Sequence, residues 1–273
     1  MGRLIFVLML FISLQSSAAG DTTLQLQLTK TITGNYSNFY TDNLQNIYLI
    51  GAQNNQIKKL NSNGDSVAVF NNSTRYGKVY SMDVSNPLKI LVYYKDFATI
   101  VLLDRFLATR TTIDLRRLGI TQVKAVALSY DGNIWLYDEG EGRLKKIDEN
   151  GNVLMESADL RLVFDNALNP EKIIDNNSQL YLYDNQLGWL IFDYYTTFKK
   201  QLPFPNWKDV DVNDKSLTGR MDKQLVYAMQ SEIDYHTIGS NIDLSGAKKT
   251  AWQSGKLYVL MNAGISIYQQ KQQ

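Results

Sequence analysis

An all-β fold is predicted from three observations in the sequence. A pattern of apolar strand-like segments recurs six times, the clearest copy contains four such segments, and several segments are apolar on both faces. A strand that is covered on both faces lies between two packed sheets, whereas a half-solvated strand alternates apolar and polar residues. Repeats of this kind at about 40–50 residues are typical of propellers. The predicted fold is a six-bladed β-propeller of four-stranded antiparallel blades, with the ring closed by the N-terminal strand completing the last blade.

One apolar residue in the second strand of each copy locates the repeat. These residues are Ile47, Ile90, Ile134, Leu180, Leu225 and Leu257. They are 43, 44, 46, 45 and 32 residues apart. In the third copy the predicted strands are 122–129, 133–138, 142–148 and 152–157, which form one meander. Asn150-Gly151 between the last two is a hairpin pair, because both residues tolerate the left-handed backbone that such turns require.

The two ends of the repeat region complement one another. The sixth copy stops after its third strand, and the segment Leu24–Ile32 has strand periodicity but belongs to no blade that follows it. Pairing this segment beside the sixth copy would supply the missing strand and remove two exposed sheet edges, which otherwise invite aggregation. The competing interpretation is a two-sheet sandwich, which the regular spacing disfavours.

The first residues are typical of an export signal. Arg3 precedes an apolar run at 4–14, and Ser17-Ala18-Ala19 is a small-residue cleavage pattern, so we expect a signal peptide at 1–19 and one propeller domain at 20–273. The run is shorter than a membrane span, and no later segment resembles one. There are no cysteines. A secreted eukaryotic domain usually contains disulfides, so a bacterial periplasmic location is favoured, either free or peripheral to the outer membrane.

The third copy carries a family resemblance. Residues 128–153 read LSYDGNIWLYDEGEGRLKKIDENGNV and resemble the repeats of NHL-type and sensor-kinase-type propellers, which implies the fold but no particular function. The stretches NLQNIYLI (43–50), YGKVYSMDVSNPLKILVYYKDF (76–97) and QVKAVALSYDGNIWLYDE (122–139) resemble a group of exported propellers of Bacteroidota. That resemblance implies that the chain belongs to the group of propellers that includes the periplasmic plug of the type 9 secretion translocon.

No catalytic residue, metal ligand or cofactor is predicted. The single histidine, His236, excludes a histidine metal cluster, and a lone histidine in a strand is more often structural than catalytic. The segment 209–214 resembles the start of a calcium loop but lacks its glycine and its final glutamate, and its alternating valines fit a strand. Glu139 and Glu141 share one turn, where paired carboxylates are usually solvated. The 28 basic and 27 acidic residues balance, so no nucleic-acid partner is expected.

The connections between blades carry the predicted binding site. Four of the eight arginines after residue 19 lie in three of these links, and aromatic residues lie in the same links or near a neighbouring turn. Arginine and aromatic side chains are enriched in binding hot spots. The predicted partner-binding residues are Arg75, Tyr76, Tyr94, Phe97, Arg116, Arg117, Arg161 and Trp207. The alternative is that these arginines are scattered and solvated.

The predicted function is a non-enzymatic, exported protein-interaction module in a periplasmic or outer-membrane-associated assembly. The expected partner is a protein of a membrane-associated complex, such as a secretion translocon in which the chain is an accessory plug subunit. The chain by itself is expected to be monomeric, with no membrane span of its own. The alternative is an enzyme or sensor that uses the central channel to act on a carbohydrate or another small ligand, as other propellers do.

Overall fold

The computed structural model describes residues 23–71, 73–164 and 167–271, and these form six sheets of at least four strands each, antiparallel except for one short parallel strand at the edge of the fifth. The fold is an all-β, six-bladed propeller, so the sandwich alternative is wrong. In each sheet, or blade, the strands that follow one another in the sequence form a meander of hydrogen-bonded neighbours, and two of the sheets gain a further strand from the N-terminal segment. The predicted signal peptide at 1–19 lies outside the described residues. No helix in the described ranges is long and apolar enough to cross a membrane.

The strands follow one another in chain order. Two strands precede the first blade: β1 (Thr23–Leu24) and β2 (Leu26–Thr33). The first blade contains β3 (Tyr36–Thr41), β4 (Ile47–Gly51), β5 (Ile57–Leu60) and β6 (Ser66–Phe70). The second contains β7 (Ser81–Asp83), β8 (Lys89–Tyr94), β9 (Thr99–Asp104) and β10 (Thr109–Asp114). The third contains β11 (Val123–Leu128), β12 (Ile134–Asp138), β13 (Arg143–Ile147) and β14 (Val153–Glu156), which confirms the four strands predicted there.

The remaining blades repeat this order. The fourth blade contains β15 (Pro170–Asn176), β16 (Gln179–Asp184), β17 (Gly188–Asp193) and β18 (Phe198–Leu202). The fifth contains β19 (Lys208–Asn213), β20 (Ser216–Met221), β21 (Gln224–Met229) and β22 (His236–Ser240). The sixth contains β23 (Lys249–Gln253), β24 (Lys256–Met261) and β25 (Gly264–Gln270). Short helical turns occupy some of the connections: Ser73–Tyr76, Lys95–Phe97, Leu115–Leu118 and Leu160–Leu162.

Both faces of a blade are apolar because a neighbouring blade covers each of them. In β12 every side chain is buried. Ile134 and Leu136 pack toward the second blade, and Trp135 and Tyr137 pack toward the fourth. Similar clusters join the other neighbours, and the sixth blade packs against the first. The innermost strands of neighbouring blades also touch around the axis of the ring, as β15 and β19 do.

The N-terminal segment supplies the outermost strand of the sixth blade. Strand β2 pairs antiparallel with β25, from Leu26 opposite Gln270 to Thr33 opposite Gly264. Strand β1 pairs parallel with β22 at the edge of the fifth blade. Gly264 has a φ of +138°, and a Cβ atom there would lie 2.1 Å from the carbonyl oxygen of Ile32, so the close approach of β2 requires glycine. That this pairing keeps the ring closed in solution stays a prediction.

Candidate functional site

A cleft of about 610 Å³ lies on the outer wall of the second blade, beside a turn of the third blade. Two links between blades, the outer strand β10 and the hairpin turn before β14 form its walls. The lining residues are Arg75, Tyr76, Phe97, Thr99, Thr111, Thr112, Ile113, Asp114, Arg116, Arg117, Leu118, Glu149 and Asn150. Five of the eight residues predicted from the sequence therefore meet in one place.

The capped turn Leu115–Leu118 directs the side chains of Arg116 and Arg117 toward solvent. Oδ1 of Asp114 accepts hydrogen bonds from the backbone N–H of Arg116 at 3.1 Å and from its Nε at 3.2 Å. This hydrogen bonding lowers the pKa of Asp114 below its usual value. Leu115 is fully buried and anchors the turn to the core. The side chain of Arg117 is 86% exposed, and its Nε is 3.6 Å from Oδ2 of Asp114. Each guanidinium therefore retains hydrogen-bond donors that face solvent.

Aromatic rings form the floor of the cleft at the same end. Tyr76 is buried against Tyr94, with ring centroids 5.2 Å apart, and its hydroxyl is 3.2 Å from Oγ1 of Thr112. Phe97 is 43% exposed. The guanidinium carbon of Arg75 lies 5.2 Å from the Tyr76 ring centroid, and that of Arg116 lies 6.0 Å from the Phe97 ring centroid. These cation–π distances place the positive charges against apolar surface, where they are partly dehydrated.

The opposite end of the cleft carries a neutralised carboxylate. Oε1 of Glu149 is 2.5 Å from Nζ of Lys89, and its Oε2 is 3.5 Å from Oγ1 of Thr111. The hydrogen bond from Lys89 lowers the pKa of Glu149. The lining contains three arginines and two carboxylates, and Lys89 offsets one of those carboxylates. The cleft thus presents net positive charge, hydroxyl donors and exposed ring edges, which suits an acidic ligand.

Two of the predicted binding residues are buried and do not line the cleft. Tyr94 lies in the core beneath Tyr76. Trp207 is completely buried: its ring stacks on Phe204 with a 5.5 Å centroid separation, and its backbone N–H donates to Oη of Tyr183 at 2.5 Å. Their assignment to a binding surface is corrected here, because the aromatic rings fill space between strands and cannot reach a partner.

Arg161 lies apart from the cleft and has a structural partner. Its Nη2 donates to Oδ2 of Asp159 at 2.7 Å and to the carbonyl oxygen of Glu141 at 3.1 Å. The pairing raises the pKa of Arg161 and lowers that of Asp159. The side chain thereby fastens the link after the third blade to the turn at Glu141. The arginine and aromatic residues that come together in the cleft therefore cover only part of one face of the ring.

The other candidate motifs have local roles. His236 stacks on Tyr227, with centroids 5.0 Å apart, and its Nε2 is 3.5 Å from Oε2 of Glu232. Asp209 accepts from Nε of Arg220 at 2.9 Å and from the backbone N–H of Thr250 at 2.9 Å, so it joins the fifth blade to the sixth. Within the described ranges, no cluster of three or more His, Asp or Glu residues could hold a metal ion.

The strand residues of the cleft were missed by the sequence reasoning, which considered links and turns. The segment Thr109–Asp114 carries four polar residues before its first buried one. Such a polar outer strand is the signal that could have extended the site to Thr111 and Thr112. The contribution of Glu149 has no signal in the local sequence, because it comes from the neighbouring blade.

The ring of six sheets and the cleft on its wall define a β-propeller with a candidate binding surface. No known protein family matches the chain, and no curated protein matches it. Solved structures share the fold. A streptogramin B lyase has a TM-score of 0.60 and 12% identity, over 90% of this chain and 98% of that chain. An inactive virginiamycin B lyase from Staphylococcus aureus, with quinupristin, has a TM-score of 0.58 and 15% identity, over 89% and 88%.

A non-lyase propeller is similar to the same degree. The WD40 domain of Neurospora crassa Pan2 has a TM-score of 0.59 and 12% identity, over 90% of this chain and 81% of that chain. The structural neighbours therefore include both enzymes and a WD40 domain. At these identities the similarity shows the fold alone, since one scaffold hosts many functions.

Proposed function

We propose that this chain is a non-enzymatic protein-interaction module, exported to a periplasmic or outer-membrane-associated assembly. The observation that carries the proposal is the cleft on the second blade, where three arginines lie beside exposed aromatic surface. Arginine and aromatic side chains dominate the energy of protein interfaces, because they bury large areas and make charge-assisted hydrogen bonds. Loops on a rigid scaffold are also the usual place for recognition.

The proposed occupant is an acidic segment of a partner protein. Arg116 and Arg117 supply forked donors for carboxylates, and Thr111 supplies a hydroxyl farther along the groove. Phe97 offers a ring face on which an apolar residue of the same segment packs. The sequence resemblance to exported propellers suggests a secretion translocon as the assembly, with this chain as a plug subunit.

Affinity capture with matched variants tests the proposal. The tagged chain from residue 20 onward is incubated with solubilised membranes of its source organism, and co-purified proteins are quantified by mass spectrometry. One stoichiometric membrane complex is expected. The double variant R116A/R117A is expected to lose at least about tenfold of the recovered partner, because two charge-assisted contacts are removed.

The variant R105A is the control for the loss of a surface arginine outside the cleft. Arg105 packs over Phe106 in another turn of the second blade and does not line the cleft. R105A removes one surface arginine, so its partner recovery should equal that of the wild type. Circular dichroism and thermal unfolding should be unchanged in all three proteins. Equal recovery with R116A/R117A, or no stoichiometric partner with the wild type, would contradict the proposal.

A further inference from the structure

A second pocket lies on the first blade, where the turn between β4 and β5 meets the link before β3. Its volume is about 270 Å³. Pockets for drug-sized ligands span about 300–1,000 Å³, so this one suits a small ligand or one unit of a polymer. Most of its walls are amide side chains, joined by one aromatic ring and one amine. The residues concerned are Asn35, Tyr36, Gln53, Asn54, Gln56 and Lys58.

Backbone hydrogen bonds hold the two walls of this pocket together. The N–H of Ala52 donates to the carbonyl oxygen of Asn35 at 3.1 Å, which joins the turn to the link. Within the turn, the N–H of Gly51 donates to the carbonyl oxygen of Gln56 at 2.9 Å. A Cβ atom at Gly51 would collide with Oδ1 of Asn54, so glycine allows that side chain to fold over the turn. The backbone of the pocket is therefore held in place without a ligand.

The amide side chains keep most of their hydrogen-bonding capacity. In the part of the chain that the structure describes, only one of the four is engaged: Oδ1 of Asn54 accepts from the backbone N–H of Gln56 at 3.1 Å. Asn35 and Gln53 are exposed, and Gln56 is half-buried. Each amide carries one oxygen acceptor and two N–H donors. The hydroxyl groups of a sugar likewise both donate and accept, so one amide can bond to two neighbouring hydroxyls.

Tyr36 supplies apolar surface in the same pocket. Its ring lies against the backbone of Gly34, where a Cβ atom would lie 2.5 Å from Cζ of the ring. Its hydroxyl donates to the carbonyl oxygen of Thr33 at 3.2 Å. These contacts fix the ring and leave it half-buried. A tyrosine ring presents an apolar body beside a polar tip, which suits a ligand that has both C–H and O–H groups.

Lys58 sets the charge of the pocket. Among the described residues of the lining it is the only charged one, and no carboxylate opposes it there. A carboxylate ligand would make a charge-assisted hydrogen bond to its amine. One cation matches a ligand with a single negative charge, whereas a doubly charged phosphate would be only half neutralised.

We propose that this pocket binds a uronic acid unit of a saccharide. Lys58 pairs with the carboxylate, the amides bond to the hydroxyl groups, and the Tyr36 ring packs against the C–H groups of the sugar. An apolar peptide segment would leave the amides without partners, which costs free energy. This site goes beyond the proposed interaction function and does not depend on it, because the pocket and the cleft on the second blade share no residue.

NMR titration of the isotope-labelled protein tests the proposal. The probes are the methyl glycosides of glucuronic acid and of galacturonic acid, each compared with the neutral methyl glycoside of the parent hexose. At least one uronic acid glycoside should shift the backbone signals of Gly51 and Ala52 and the side-chain amide signals of Gln53 and Gln56, and the shifts should saturate. Its Kd should be about fivefold lower than that of its neutral counterpart, because the ion pair to Lys58 is lost in the latter.

Three variants complete the test. Q53A/Q56A should weaken binding of the uronic acid glycoside at least about tenfold, because two amides are removed. K58M should bind the charged and neutral glycosides equally. The control is Q186A, since Gln186 is exposed in the corresponding turn of the fourth blade and does not line the pocket. This control should bind as the wild type does, and thermal unfolding should be unchanged in all variants.

Three results would overturn the proposal. They are the absence of saturable shifts with both uronic acid glycosides, an equal Kd for the charged and neutral forms in the wild-type protein, and unchanged binding by Q53A/Q56A. The readout is independent of partner capture, so the two proposals fail separately.

Discussion

The indole Nε1 of Trp135 donates a 3.1 Å hydrogen bond to Oδ2 of Asp175, which belongs to the neighbouring blade. The same oxygen accepts a bond from Oγ of Ser129 at 2.9 Å, and the hydroxyl of Tyr194 bonds to the other oxygen of the carboxylate. Burial and this last contact raise the pKa of Tyr194. One carboxylate therefore joins the third blade to the fourth by polar contacts between their otherwise apolar faces.

The variant D175A should lose stability because it leaves several donors unpaired. We expect the free energy of unfolding to fall by about 2–4 kcal/mol, since unsatisfied buried groups and lost charge-assisted bonds both contribute. Urea unfolding at pH 7 measures the change. Asp65 is exposed and bonds only within its own turn, so D65A should cost less than about 1 kcal/mol. A similar loss in both variants would contradict the role assigned to Asp175.

Strand β2 offers a matched pair of leucines for testing its contribution. Leu26 is 5% exposed and belongs to a core cluster with Leu257 and Val259, whereas Leu28 is 52% exposed on the same strand. L26A should lower the free energy of unfolding by about 2–4 kcal/mol, and L28A by less than about 1 kcal/mol. Deletion of residues 20–32 should destabilise the ring as a whole. If the deletion variant unfolded at the same temperature as the wild-type protein, β2 would be dispensable for stability.

Trp207 should behave as a core residue. W207A leaves a large cavity beside Phe204, and we expect a loss of about 3–5 kcal/mol in the free energy of unfolding. F97A, at the exposed ring in the cleft, should change stability by less than about 1 kcal/mol but weaken partner capture. Chemical unfolding of both variants distinguishes them. A stable W207A protein with weakened capture would restore Trp207 to the binding surface.

Burial, followed by repulsion from Lys172, lowers the pKa of Lys249 to about 7, and this shift predicts a pH dependence of stability. Between about pH 7 and the ordinary lysine value of 10.5, the unfolded chain holds a proton that the folded chain has released. The free energy of unfolding should therefore rise with pH in this window, by at most about 1.4 kcal/mol per pH unit from this group.

The comparison with K249M isolates this contribution from that of other groups. Urea unfolding of both proteins is measured from pH 6 to 10, and the subtraction of one from the other cancels the ionisation of tyrosines, whose ordinary pKa is about 10. The difference in the free energy of unfolding, wild type minus K249M, should increase between pH 7 and 10 and level off below pH 7. A constant difference would show that Lys249 titrates with an ordinary pKa.

The strands were predictable because their physical signal is local. In Ile134–Asp138 the apolar residues occupy both faces, and only a strand between two sheets satisfies that pattern. Burial in the links was not predictable in the same way. Trp207 and Arg117 both lie in links between blades, yet one is fully buried and the other is mostly exposed. The difference depends on which neighbouring blade the side chain meets, which no local pattern encodes.

The same limit applies to the cleft and to the environment of Lys249. The arginines of the cleft could be identified from their positions in links, because Asp114 and Leu115 orient them through local contacts. The environment of Lys249 could not be predicted, since this residue begins an ordinary polar-apolar strand and its surroundings come from Asn38 and Lys172, which are distant in the sequence. Only the assembled ring brings these groups together.

The pairing of β2 with β25 also sets the order in which the strands can pair during folding. Leu26 lies opposite Gln270, and the backbone N–H of Lys271 donates to the carbonyl oxygen of Gln25 at 2.8 Å. The strands of the first four blades follow one another in the sequence, so these blades can form from contiguous chain, while β2 waits for β25, which follows all of their strands. Until β25 is available, Leu26 lies on an unpaired strand in which apolar and polar residues alternate, and an unpaired strand edge can aggregate or bind a chaperone. The pairing of β25 with β2 therefore ends the period in which the chain is most vulnerable to aggregation.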